Sequence, residues 1–186
     1  DVVRGTTKYL SLPTTTGGQS TDVQAVQQFL PKGVGIGTLA AINPDPGTSA
    51  EGDRVMSWNW GATGTVATDS TGMVKTSDSS TSSINRAAST TSGFSTITYT
   101  GNGAYSTIKH GLGVAPQFFI IRQTDNSAVW KVWHHELADP LQSYMTLDDD
   151  ATEQDFGDNR MWGGAPSTST TIGVGDHIYV NDSGDT

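Results

Sequence analysis

"YTGNGAYSTIKHGLGVAPQFFII", from Tyr99 to Ile121, decides how the rest of this chain is read. Glycines at 101, 103, 111 and 113 punctuate it, and between and after them come short runs of β-branched, aromatic and aliphatic residues. Glycine reaches backbone conformations that other residues avoid, so clusters of this kind mark turns, while Thr, Ile, Tyr and Phe favour the pleated backbone. The segment therefore predicts a strand, a glycine turn, a second tight turn at "HGLGVAP" and a buried strand "QFFII", the first hairpin of a β unit.

The same pattern recurs on both sides. "KYLSL", "RVMSWNW", "FSTITYT", "QFFIIRQ", "AVWKVWHH", "YMTLD", "TIGVG" and "HIYVN" all read as strands bounded by Gly, Asn, Asp or Pro. One segment has helical spacing: in "STDVQAVQQFL", Ser20 to Leu30, a Ser or Thr cap and Asp22 precede Val23, Val26, Phe29 and Leu30, and Pro31 stops the run. Many short strands with alternating apolar faces predict an all-β chain, an antiparallel sandwich of jelly-roll type rather than a parallel α/β sheet.

Composition narrows the function. Ten basic against 19 acidic residues give a formal charge of -9, which disfavours nucleic acid and anionic membrane surfaces as partners. The chain has no cysteine, so disulfides and thiolate chemistry are excluded. No apolar run approaches the roughly 18 residues that a membrane-spanning helix needs, and membrane insertion is not expected.

Residues 63–92, within "ATGTVATDSTGMVKTSDSSTSSINRAASTTS", are dense in Ser and Thr with few apolar residues, and read as a linker or a draped extended segment. They separate residues 1–62 from 93–186. The two parts echo each other: "TKYLSLPTTT" resembles "QSYMTLDDDA", and "VGIGTLAAINPDPGTSAEGD" resembles "IGVGDHIYVNDSGDT", in the same order. The offset implies a repeat of roughly 135 residues, with 1–62 as the closing half of one copy and 93–186 as the opening two-thirds of the next, in tandem or permuted order. The chain starts at Asp1 and ends at "VNDSGDT", within what reads as a strand and its turn, so a processed product or a portion of a longer protein is expected, with the last strand supplied by continuation, by the N-terminal half or by another copy.

"GFSTITYTGNGAYSTIKHGLGVAPQFFIIRQTDNSAVWKVWHHEL", followed by "YMTLDDD", "RMWGGAPSTSTTIGVG" and "VNDSGDT", resembles the repeated β-domain of tail fibres and other large structural proteins of marine bacteriophages. "DVVRGTTKYLSLPTTT" and "SWNWGA" are similar to the R-G segment and the closing strand of the same repeat, so the likeness covers nearly everything except the Ser/Thr stretch. The resemblance implies a non-enzymatic structural protein of the virion that assembles with copies of itself, commonly threefold in fibres of this kind, and with other virion proteins. It attaches no chemistry to named residues.

The candidate sites are weighed on their own residues. His134 and His135 stand beside Glu136 and Asp139, but adjacent strand residues point to opposite faces, so no metal site is expected there. His110 precedes "GLG" and reads as a turn-setting residue. "LDDDATEQD", Leu147 to Asp155, lacks the order of a calcium loop and reads as a solvated turn. "GVGIG", Gly33 to Gly37, lacks the Lys-Ser/Thr and the helix of a phosphate loop and reads as a turn. There is no G-x-S-x-G and no carboxylate pair on recognisable strands, so no catalytic residue and no cofactor are assigned. Trp58, Trp60, Trp130, Trp133 and Trp162 are candidate ligand or interface aromatics, most of them core or interface anchors, with a glycan-binding face as the functional alternative. Loops Pro44–Asp53 and Leu147–Asp158 are expected to face outward. The leading expectation is a virion appendage component with possible contact to host-surface glycan; the alternatives are a secreted carbohydrate-binding or adhesive module and a strand-exchanged extracellular filament subunit.

Overall fold

The computed structural model describes residues 3, 6, 8–9, 20–30, 33–38, 60–62, 65–147 and 149–186. Loop 44–53 and all but Trp60 of the strand expected over 54–60 lie outside these residues, and Trp60 itself is not in a strand. Near the N-terminus, β1 (Lys8–Tyr9) pairs antiparallel with β2 (Ser20–Thr21), and β3 (Val26–Leu30) with β4 (Gly33–Ile36). The helix expected over 20–30 is therefore corrected to two strands and a turn. Asp22 does not cap a helix: its Oδ1 accepts the Gln24 N–H at 2.7 Å, and Ala25 N–H reaches the Asp22 carbonyl at 3.2 Å, which closes a turn before β3 begins. A segment of this length is marginal as an isolated helix, and its β-branched and aromatic residues pair instead. "GVGIG" is corrected likewise, since Gly33–Ile36 is a strand and not a turn.

The central sheet has five strands in the order β13-β8-β5-β6-β7, where β5 is Ala67–Lys75, β6 Thr81–Ser89, β7 Phe94–Tyr99, β8 Ser106–Lys109 and β13 Thr171–Val174. β5 and β6, the longest strands described, come from the stretch read as a linker. Counting apolar residues misjudged them. Met73, Ile84 and Ala87 are buried, and the turn after β8 comes close against β6: a Cβ on Gly111 would stand 2.8 Å from Arg86 Nε and 3.2 Å from Ala88 Cβ. The sheet also corrects the expected hairpin. Among the described strands β7 pairs with β6 alone, while β8 lies on the far side of β5, so the "TGNGAY" connection crosses two strands.

The second sheet has the order β12-β11-β10-β9, with β9 at Phe118–Ile121, β10 at Lys131–His134, β11 at Ser143–Thr146 and β12 at Gln154–Asp155. β9 alternates between exposed and half-buried, so it is an amphipathic edge strand and not the buried strand expected. Its inner residues, Phe119 and Ile121, pack against Trp133, Tyr144, Met161, Trp162 and Val180 on one side and against Met73, Ile84, Ile108, Ile172 and Val174 on the other. That shared core joins the two sheets as an antiparallel all-β sandwich, the fold class read from the sequence. "HIYVN" is not a strand. Ile178–Asn181 forms a one-turn helix, α1, because the His177 side chain accepts the Tyr179 N–H at 3.3 Å.

α1 closes over the quoted turn. Asn181, 2% exposed, directs Nδ2 to the carbonyls of Ala104 at 2.6 Å and Gly175 at 2.9 Å, and its Oδ1 accepts the Asn102 N–H at 2.9 Å. Gly101 approaches so closely that a Cβ there would overlap the Asp182 carbonyl. The G-N-G and V-N-D-S-G signatures, about 80 residues apart in sequence, are two halves of one clasp.

Candidate functional site

The tryptophans separate by environment. Trp133 and Trp162 are buried, and each finds a carbonyl for its indole N–H: Pro140 at 2.7 Å and Ser143 at 2.7 Å. Phe119 stacks on Trp133 at 4.8 Å and meets Trp162 edge-on at 5.2 Å, so these two are core anchors. Trp130 is half-buried beneath the Arg122 guanidinium, 5.0 Å from its ring. Trp58 lies outside the described residues. Trp60 is 64% exposed and stacks on Phe94, at the start of β7, with centroids 5.7 Å apart. Among the described members of the set it is the most exposed ring.

A second aromatic group was not read from the sequence. Tyr144, Phe156, His177 and Tyr179 form a ladder with successive centroids 5.0, 4.7 and 5.0 Å apart. Lys131, 4% exposed, projects its ammonium under this ladder, 4.4 Å from the Tyr144 ring and 4.9 Å from that of Tyr179, and donates to Thr146 Oγ1 at 2.9 Å. Burial lowers the His177 pKa, with the Arg160 and Lys131 charges adding to the effect, and burial raises that of Tyr144. The ladder joins residues from β11, β12's flank and α1, spacing that no local pattern reveals.

His110 sets its turn as expected. Nδ1 accepts the Leu112 N–H at 3.1 Å, which leaves the proton on Nε2 to donate to the Thr168 carbonyl at 3.1 Å, and burial lowers its pKa. In the acidic segment, Asp149, Asp155 and Asp158 each accept a backbone N–H two residues on, at 3.2, 2.7 and 3.0 Å, so these carboxylates close local turns.

The geometric objection to a metal at His134 and His135 does not hold. β10 ends at His134, the backbone turns, and both imidazoles come to one side with ring centroids 4.7 Å apart. One ligand atom from each of His134, His135 and Glu136 lies within 4.8 Å of the others. Alternation applies only while the strand continues.

β9 carries the remaining surface feature. Phe118 and Ile120, 50% and 37% exposed, lie on β9, the edge of the second sheet among the described residues, and Phe29, Leu30 and Ile36 are exposed on the β3–β4 hairpin.

With this architecture in view, the chain belongs to the family described as domain of unknown function DUF7483, whose model matches residues 1–186. No curated protein and no solved structure matches it.

Proposed function

We propose that this chain is a non-enzymatic structural component of a bacteriophage particle, a tail-fibre or appendage domain that assembles with copies of itself. The resemblance of its ordered motifs to phage β-domains supports this reading. The observation that carries it is the β9 edge: among the described residues β9 has a strand partner, β10, on one side alone and turns Phe118 and Ile120 outward, and such an edge is a template for pairing, which a monomer ordinarily blunts with charge or covers. Exposed Trp60, stacked on Phe94, favours a second reading as a glycan-binding module, in which the same fold presents a sugar-stacking ring. Analytical ultracentrifugation of the chain is expected to show a discrete oligomer that Ile120→Lys dissociates. A stable monomer at tens of micromolar removes the assembly reading; a glycan array in which binding is present and lost in Trp60→Ala then favours the second.

A further inference from the structure

We propose that the turn His134-His135-Glu136 binds one borderline-soft divalent cation, of the zinc, nickel or copper class, on the surface of the second sheet. Two imidazoles and one carboxylate are the donor set that such ions prefer, whereas calcium and magnesium take oxygen. Three protein ligands leave a fourth position for water, the arrangement of an open tetrahedral site.

The turn is built to hold its shape. His135 N–H donates to the Gln117 carbonyl at 3.0 Å, Leu137 N–H to the His134 carbonyl at 3.2 Å, and the Leu137 side chain is buried in the core. The backbone is thereby pinned to the residue before β9 on one side and to the core on the other, while the His135 and Glu136 side chains remain exposed. Ligand atoms around a tetrahedral ion with bonds near 2.1 Å stand about 3.4 Å apart, so separations of up to 4.8 Å must shorten by about 1.4 Å or less, a distance within the reach of side-chain rotation.

One contact must be given up. His134 Nδ1 accepts the Glu136 N–H at 3.2 Å, so the imidazole holds its proton on Nε2. Ligation through Nδ1 displaces the amide directly. Ligation through Nε2 moves the proton to Nδ1 by exchange with solvent and turns an acceptor into a donor. Either way the amide contact is exchanged for the metal bond, and water can satisfy the exposed amide. The cost makes this a site of moderate affinity, and the protein's charge of -9 attracts a cation toward it.

Isothermal titration of the untagged full chain with zinc chloride, in buffer containing excess magnesium, tests the proposal. One zinc per chain is expected, with micromolar affinity. His135→Ala and Glu136→Gln change exposed side chains, and each should weaken binding by at least about tenfold, a loss typical of damage to a metal site. Circular dichroism confirms that both variants keep the native fold. No zinc binding by the wild-type chain, or undiminished binding in the double variant, overturns the proposal; the latter result would place the ion elsewhere, as on the carboxylates of Asp149 to Asp158.

Discussion

Asn181 shows how much can rest on one side chain. It is almost fully buried, and its amide satisfies groups from the quoted turn and from Gly175, just after β13. Removing it would take these bonds from the Gly175 carbonyl and the Asn102 N–H, while the Ala104 carbonyl still accepts from Ser106 Oγ, and each buried group left without a partner costs about 1–3 kcal/mol. Asn181→Ala is expected to destabilise the chain by about 3 kcal/mol or more in urea unfolding. A loss below about 0.5 kcal/mol, the usual scale of a surface change, would show that water replaces the amide and that the clasp is dispensable. The asparagine is visible in "VNDSG", and "GNG" is visible as a turn, yet nothing local says that they meet. His134 and His135 carry the same lesson in reverse, because alternation separates them only until the strand stops.

At the scale of elements, the least legible part of the chain is its sheet centre. β5 and β6 contain few large apolar residues, so composition describes them as linker, but a strand in the middle of a sheet is stabilised by neighbours on both edges as well as by its own side chains. Thr81 to Arg86 faces β5 and Ile84 to Ser89 faces β7, and Ile84 and Ala87 supply buried apolar side chains. A fragment of residues 93–186 would lose both central strands and expose Ile108 and Ile172 to water. It is expected to lack the near-ultraviolet dichroism of a packed core, whereas a fragment of residues 65–186 retains it. A packed, cooperatively unfolding 93–186 fragment would contradict the sheet order. The segment Ser20 to Leu30 failed for a related reason: helical spacing competed with pairing to β4, and the Asp22 turn settled it in favour of strands.

For the whole molecule, two buried imidazoles tie stability to acidity. His110 and His177 are both held below the ordinary value of 6.5 by burial, so the folded chain resists protons that the unfolded chain accepts. Stability is therefore full above the unfolded value and declines as the pH falls below 6.5 toward the depressed folded values. Asp69 continues the loss further down, below its ordinary value of 3.8, because the Thr71 N–H above all stabilises its ionised form. The urea midpoint is expected to fall between about pH 7.5 and about pH 5.5, and replacing both histidines with Gln to flatten the profile. A midpoint that does not move across that range in the wild-type chain would contradict the buried, neutral state of both rings.

The sequence by itself determined the all-β class, most strand positions between Phe94 and Val174, the turn role of His110 and the absence of disulfide chemistry. These follow from local physics: glycine freedom, β-branched stiffness and the period of a strand act within a few residues. Tertiary structure alone decided the strand order, the recruitment of 67–89 into the central sheet, the Asn102–Asn181 clasp, the ladder over Lys131 and the gathering of His134, His135 and Glu136. Each of these depends on pairing or packing between distant segments, whose energy exceeds the local preferences that the sequence displays.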